Sequence, residues 1–211
     1  MIDPGIEKYA EEHSSQHKQV LYELYRETNL KVMHPRMLSG SQQGRFLSML
    51  SHMIHPQTVL EIGTYTGYSA ICLAEGLAED GKIHTVELDP ELEQIASKYF
   101  KKADVEKQII QYFGDAMNIL PDLDLLFDLV FIDADKENYS NYYRLIFDKV
   151  RSGAYILVDN VLWSGKVIEP LKKGDKDTAG ILEFNHLIQK DERVENVLLP
   201  LRDGLMLIRK K

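Results

Sequence analysis

The feature that most constrains this chain is a change of rhythm at Thr58. From there, short apolar runs alternate with amphipathic stretches, and most runs end on a glycine or an acid. Val59-Leu60-Glu61-Ile62-Gly63, Lys82 to Leu88, Ile109 to Phe113, Leu126 to Ile132 and Tyr155 to Val158 read as strands. Tyr68 to about Glu79, a segment opened by Pro90, Asp115 to Leu120, Asn138 to Val150 and Ala179 to Gln189 read as the helices between and after them. Pro90 suits a first helical turn, where its missing N–H costs nothing. Strands that alternate with helices predict a mostly parallel sheet covered on both faces. The last two runs, Val194 to Leu199 and Leu205 to Ile208, are joined only by a turn at Arg202-Asp203-Gly204 and predict an antiparallel edge pair.

Residues 3 to about 54 read differently. Val20, Leu21, Leu24, Tyr25 and Thr28 recur at helical spacing, His34-Pro35 breaks the pattern, and Ser39 or Ser41 is placed to cap a third helix with Phe46, Leu47, Leu50 and Ile54 on its apolar face. His55-Pro56 ends it. The 211 residues fit one domain, with 1–54 as a helical cover and 57–211 as the α/β core.

A net charge of −8 argues against broad binding of nucleic acid, which needs a basic face. No apolar run approaches the roughly 20 residues that span a bilayer, so no membrane partner is expected. The opening Met1-Ile2-Asp3-Pro4 runs into charged residues without the pattern of a secretory leader, and Cys72 is the one cysteine. A cytoplasmic location is the expectation.

Glu61-x-Gly63-x-x-x-Gly67 lies between the first strand and its helix, where glycines allow a tight turn and close approach of a ligand. In open α/β sheets, ligands lie beyond the carboxyl ends of the strands. Glu87 at the second strand end can accept from ribose hydroxyls, and Asp115 after Gly114 can accept from an adenine amino group. Simple turn glycines and a solvated surface acid are the structural alternative. The spacing lacks the tighter Gly-x-Gly-x-x-Gly of a pyrophosphate cradle and any Walker sequence.

Asp133 closes the fourth strand, and Asp159-Asn160 closes the fifth. At neighbouring strand ends these would offer three hard oxygens, suited to Mg²⁺, Ca²⁺ or Mn²⁺. Two carboxylates at an apolar strand end repel each other unless a cation joins them. The alternatives are a turn cap at Asp133, a loop tie at Asp159 and a left-handed residue at Asn160. Lys136, three residues past Asp133, reads as a proton acceptor beside a cation, or as a surface lysine paired with Asp135 or Glu137.

These residues together resemble the cation-dependent O-methyltransferases, the group of the caffeoyl-coenzyme A and catechol enzymes. The resemblance is carried by Val59-Leu-Glu-Ile-Gly-Thr-Tyr-Thr-Gly-Tyr-Ser69, His84-Thr-Val-Glu-Leu-Asp89, Phe131-Ile-Asp-Ala-Asp-Lys-Glu-Asn-Tyr139 and Val158-Asp-Asn-Val-Leu-Trp-Ser-Gly165, with Phe184-Asn185 and Asp203-Gly204 as late features. It implies a Rossmann-like class I methyltransferase fold with seven strands, the last antiparallel. It assigns Asp133, Asp159 and Asn160 to a divalent metal and Lys136, with Asp133 beside it, to catalysis. Gly63, Tyr68, Ser69, Glu87, Asp115 and Ala116 match an S-adenosyl-L-methionine pocket; Glu61, which opens the glycine motif, and Asp133 join them as candidates. Met37 and Gln42 to Gly44 would help cover the site, and homodimers are common in the family. The implied acceptor is a small hydroxylated aromatic compound.

Lys166, Lys172, Lys173 and Lys176 offer either attraction for an acidic substrate or solvated charge, and Trp163 either stacks on a ring or packs under its loop. Three other functions share parts of this pattern. An RNA methyltransferase has the same donor pocket, a nicotinamide oxidoreductase has the same sheet, and a non-catalytic donor-binding regulator would need a vestigial metal site.

Overall fold

The computed structural model describes residues 4–211. The expected start of the first helix at residue 3 lies outside them. In chain order the elements are α1 (Pro4–Glu12), α2 (Gln19–Lys31), α3 (Ser41–Ile54), β1 (Thr58–Ile62), α4 (Tyr68–Ala74), β2 (Lys82–Glu87), α5 (Glu93–Lys102), β3 (Ile109–Phe113), α6 (Ala116–Ile119), β4 (Phe127–Ile132), α7 (Tyr139–Ile146), β5 (Val150–Asp159), α8 (Lys176–Lys190), β6 (Val194–Leu199) and β7 (Leu205–Lys210). The seven strands form one sheet in the order β3-β2-β1-β4-β5-β7-β6, with β7 antiparallel to both of its neighbours. The alternation predicts the mostly parallel sheet, and the resemblance implies its seven strands with the last antiparallel; the three long helices α1 to α3 precede the first strand.

The chain divides into two compact units, one made of 59–62 with 116–211, the other of the residues up to Thr58 with 63–115. In the first, β1, β4 and β5 run parallel and bury Val59, Leu60, Leu129, Val130, Phe131, Ile156 and Leu157 completely. Strands buried on both faces explain why these segments are continuous apolar runs. In the second, α3 carries Gly44, Ser48 and Ser51 toward α4. Ser51 Oγ donates to the Leu73 carbonyl at 2.6 Å. A Cβ on Gly76 would lie 2.1 Å from the backbone nitrogen of His52, so the chain just past α4 meets α3 tightly enough to require glycine there.

Several expected boundaries move. α4 ends at Ala74, short of Glu79, where the chain meets α3. The helix opened by Pro90 begins as a 3-10 turn at Pro90–Leu92, with Asp89 capping it through the Glu91 N–H at 2.9 Å. β5 starts at Val150, the expected end of a helix, and runs through Gly153, whose φ of 84° marks a kink before the regular pairing at Tyr155. Neither Ser39 nor Ser41 caps α3. Gly40 holds that position, Ser41 is the first helical residue and its hydroxyl donates to Glu11. α8 begins earlier than expected because Asp175 accepts from the Thr178 N–H at 3.1 Å.

No helix among the described residues is long and apolar enough to cross a membrane.

Candidate active site

The glycine turn after β1 is shaped by backbone demand. Gly63 and Gly67 take φ of 102° and 88°, a region where a side chain is strained. A Cβ on Gly67 would also lie 2.5 Å from the Phe100 ring. Gly63 N–H donates to the Val86 carbonyl at 2.9 Å, tying the turn to β2. At the end of β2, Glu87 organises the region: its Oε2 accepts from the Tyr65 N–H at 2.6 Å and its Oε1 from the Asp89 N–H at 2.9 Å. Each carboxylate oxygen has a second lone pair, so these bonds orient Glu87 while leaving acceptor capacity for a ribose. Gly114 N–H reaches the Glu87 carbonyl at 2.8 Å, and the exposed Asp115 follows.

Gly63, Tyr68, Ser69, Glu87 and Asp115 therefore belong to one unit. Tyr68 and Ser69 are buried at the start of α4, and the Tyr68 ring lies beside Gly44. Glu61, Ala116 and Asp133 belong to the other unit; Glu61 is fully buried in β1 and Ala116 opens α6. The cover helices hold the glycine turn as well. Thr28 Oγ1 donates to Thr66 Oγ1 at 3.1 Å with both residues fully buried, and the Tyr65 hydroxyl donates to the Met33 carbonyl at 3.1 Å.

The acidic cluster assembles at adjacent strand ends. Ile132 of β4 pairs with Val158 of β5, so Asp133 and Asp159 follow in step. Asp159 is buried, and its Oδ1 accepts from the Asn160 N–H at 2.8 Å. Asn160 takes the left-handed conformation that was one of the readings open to it, with φ of 58°. Lys136 is buried too, and its Nζ lies 3.0 Å from Asp133 Oδ1, so the surface pairing with Asp135 or Glu137 gives way to a pairing inside the cluster. The Lys136 ammonium also lies 5.0 Å from the centroid of the Tyr139 ring and 5.9 Å from that of Trp163.

Among the described residues no group of three or more His, Cys, Asp or Glu side chains is arranged to hold a metal. The set at β4 and β5 is two carboxylates and one carboxamide. It is a hard-oxygen donor set that suits a divalent cation and leaves positions for other oxygens. Burial, then the charges of Asp133, Asp159 and Asp135, push the Tyr139 phenol well above the usual tyrosine range. Lys136 pairs with one of these carboxylates, Asp133, and the two carboxylates and one carboxamide at the strand ends fit a bound divalent cation.

The loop after Asn160 is folded tightly. Trp163, Ser164 and Gly165 all have positive φ, at 46°, 54° and 81°. Asp203 holds it by accepting from the Ser164 N–H, and the Asp203 carbonyl accepts from the Leu162 N–H at 2.9 Å. Gly204 lies so close that a Cβ would come within 2.5 Å of the Leu162 side chain. Asn185 Nδ2 donates to the Val161 carbonyl at 2.9 Å. Two of the four loop lysines are neutralised: Lys166 pairs with Asp175 at 3.2 Å and Lys176 with Glu137 at 3.5 Å. Trp163 is half-buried and lies against Lys136 and Lys166. Sequence reasoning singled out neither Tyr139 nor Thr28 as site residues; Tyr139 ends the Asp-Ala-Asp-Lys-Glu-Asn-Tyr segment, while the Thr28–Thr66 contact leaves no signal in a single sequence.

Residues 11–211 match the model of a family described as O-methyltransferase. The chain is 35% identical over 196 residues to a caffeoyl-CoA O-methyltransferase of Medicago sativa, covering 88% of this chain and 79% of that protein. It is 32% identical over 211 residues to a probable caffeoyl-CoA O-methyltransferase 2 of Dictyostelium discoideum, covering 98% and 91%. Among solved structures it is similar to the O-methyltransferase TomG of Streptomyces achromogenes, in complex with S-adenosylmethionine, at TM-score 0.90 and 27% identity over 98% of this chain and 96% of that one. An O-methyltransferase of Bacillus cereus in complex with S-adenosylhomocysteine gives 0.88 and 28% over 98% and 97%.

Proposed function

The chain belongs to the O-methyltransferase family and depends on S-adenosylmethionine, and from that premise we propose that it methylates a hydroxyl of a small catechol-like or caffeoyl-type acceptor with the help of a divalent cation. One observation carries this reading: the β4–β5 register sets Asp133 beside Asp159, with Lys136 Nζ 3.0 Å from the first of them. Membership of the family favours methyl transfer over the nicotinamide reading.

In this proposal Asp133, Asp159 and the Asn160 carboxamide hold the cation, with Mg²⁺ the first candidate and Ca²⁺ or Mn²⁺ next. When bound, it supplies Lewis acidity toward two adjacent acceptor oxygens. Lys136, as the free amine, accepts the proton of the reacting hydroxyl. The oxyanion then takes the methyl group from the sulfonium: an O–C bond forms, the S–C bond breaks, and the electron pair stays on sulfur, leaving neutral S-adenosylhomocysteine. Glu87 and the turn from Gly63 to Gly67, with Tyr68, Ser69 and Asp115, hold the donor in their unit; Glu61, Ala116 and Asp133 are the donor candidates of the other unit. The pairing of Lys166 and Lys176 with carboxylates favours a free phenolic acceptor over a strongly anionic one.

We propose further that the protein acts as one domain, 1–54 covering the core 57–211, in the cytoplasm and as a homodimer. Exposed Tyr22 and Tyr25 on α2 and Met49 and Met53 on α3 support a self-association surface.

The test is a labelled-donor assay over catechols, caffeoyl esters and hydroxylated flavonoids, before and after chelation. Activity is expected to disappear with chelator and to return with Mg²⁺, and Asp159→Ala should remove the response to metal. Full turnover by a thoroughly chelated enzyme would sink the cation from this reading.

A further inference from the structure

Tyr139 opens α7 and is fully buried. Its hydroxyl donates to the backbone carbonyl of Asp159 at 2.8 Å. Its ring lies 5.0 Å from Lys136 Nζ, within the range in which an aromatic face attracts an ammonium. The ring also meets Phe184 of α8 edge-on, at 5.7 Å and 77°, which restrains its plane. One side chain therefore touches both the candidate base and the backbone of a candidate metal ligand.

The carbonyl that Tyr139 holds lies at a sensitive place. Asp159 is the last residue of β5, and the next residue turns left-handed at φ 58°. Asparagine tolerates that conformation, so the turn is made without glycine and the neighbours of its peptide decide how it is oriented. The peptide joining Asp159 to Asn160 sets the direction of both side chains, and its oxygen is the atom bonded to Tyr139.

We propose that Tyr139 is a positioning residue for the acceptor side: its hydroxyl fixes the Asp159–Asn160 peptide, and so the oxygens these two residues offer a cation, while its ring fixes the Lys136 ammonium. This rests on the reading of Asp159 and Asn160 as ligands and of Lys136 as the base. The two contacts are separable. Tyr139→Phe keeps the ring and removes one hydrogen bond; Tyr139→Leu removes both.

The measurement is Mn²⁺ binding to the full-length protein by electron paramagnetic resonance, paired with kcat at saturating Mn²⁺. Tyr139→Phe should bind Mn²⁺ about tenfold or more weakly, the usual effect of losing a group that orients a ligand, with kcat at saturation near wild type. Tyr139→Leu should add a fall in kcat of several-fold, from loss of the cation–π contact. The control is Tyr143→Phe. Tyr143 lies one helical turn along α7, meets the same Phe184 ring edge-on at 6.3 Å, and donates to Asp191 Oδ2 at 2.9 Å, away from the cluster. It should lose melting temperature and keep its Mn²⁺ affinity. Wild-type Mn²⁺ affinity in Tyr139→Phe would overturn the proposal, as would an equal loss in Tyr143→Phe, which would reduce the effect to general destabilisation. Should Tyr139→Leu fail to fold, the phenylalanine variant still decides. Unchanged Mn²⁺ binding by Asp159→Ala would instead overturn the metal reading beneath it.

Discussion

Lys136 Nζ and Asp133 Oδ1 are 3.0 Å apart, and the pair is formed within a single turn at the end of β4. An ammonium paired to a carboxylate and lying over aromatic rings is a held charge. The proposed role of Lys136 as base therefore requires Asp133 to be engaged elsewhere. Lys136→Ala should lower kcat by about 10²–10⁴-fold, the usual scale for a general base, while S-adenosylhomocysteine binding by calorimetry stays near wild type. Retained turnover would remove Lys136 from the mechanism.

Glu87 should behave differently. Its two oxygens are oriented by the Tyr65 and Asp89 N–H groups. Glu87→Gln keeps the size but puts a donor where one of these N–H groups points, so the turn loses an acceptor and the donor loses a partner. S-adenosylhomocysteine affinity should fall by about tenfold, consistent with a charged hydrogen bond of 1.5–3 kcal/mol partly replaced. The Mn²⁺ affinity should not move. Unaltered donor affinity would exclude Glu87 from the donor site.

Gly44 gives a test of how α3 supports the start of α4 and the proposed donor site beside it. A Cβ there would lie 2.6 Å from Tyr68 Cε1, 2.9 Å from Cys72 Sγ and 3.2 Å from the His17 ring. These are side-chain atoms that can shift, so Gly44→Ala should fold, with a cost of about 1–3 kcal/mol for overpacking. The displaced residue is the first of α4, so donor affinity should drop along with the melting temperature. A lower melting temperature with unchanged S-adenosylhomocysteine binding would confine Gly44 to packing.

The sequence announces the strand ends well because a two-sided parallel strand must be an uninterrupted apolar run, and the acid that ends it stands out. Asp133 and Asp159 are legible for that reason, whereas Glu87 closes a strand in which His84 and Thr85 interrupt the apolar run. The length of β5 is not, because Arg151 and Ser152 are exposed and Gly153 kinks the strand, so the local pattern reads as a loop. α4 reads too long because the chain just past its end packs at Gly76 against the backbone of α3 at His52, a contact made across more than twenty residues of sequence. The pairing of Lys136 with Asp133 rather than Asp135 or Glu137 depends on the turn that buries it, and spacing alone leaves all three within reach. Thr28 is legible as a core position of a helix, but not as a hydroxyl bonded to the glycine turn.

Beside Thr28, Glu27 predicts a dependence on pH. Its carboxylate accepts from Lys98, from the Tyr99 hydroxyl at 2.7 Å and from Lys31 at 3.0 Å, and so joins α2 to α5. These bonds, Lys98 foremost and then Tyr99 and Lys31, hold its pKa down to about 2 from an unperturbed 4.5. A folded-state pKa below the unfolded one means that the stabilisation is complete above pH 4.5 and is lost as the pH falls toward 2. The melting temperature of the wild type should therefore fall across that window more steeply than that of Glu27→Gln, and the two curves should converge at its acid end. Donor affinity should follow, because the neighbouring Thr28 bonds to Thr66 in the glycine turn. Melting curves that stay parallel through the window would show that Glu27 does not fasten α2, and the acid loss would then belong to other carboxylates.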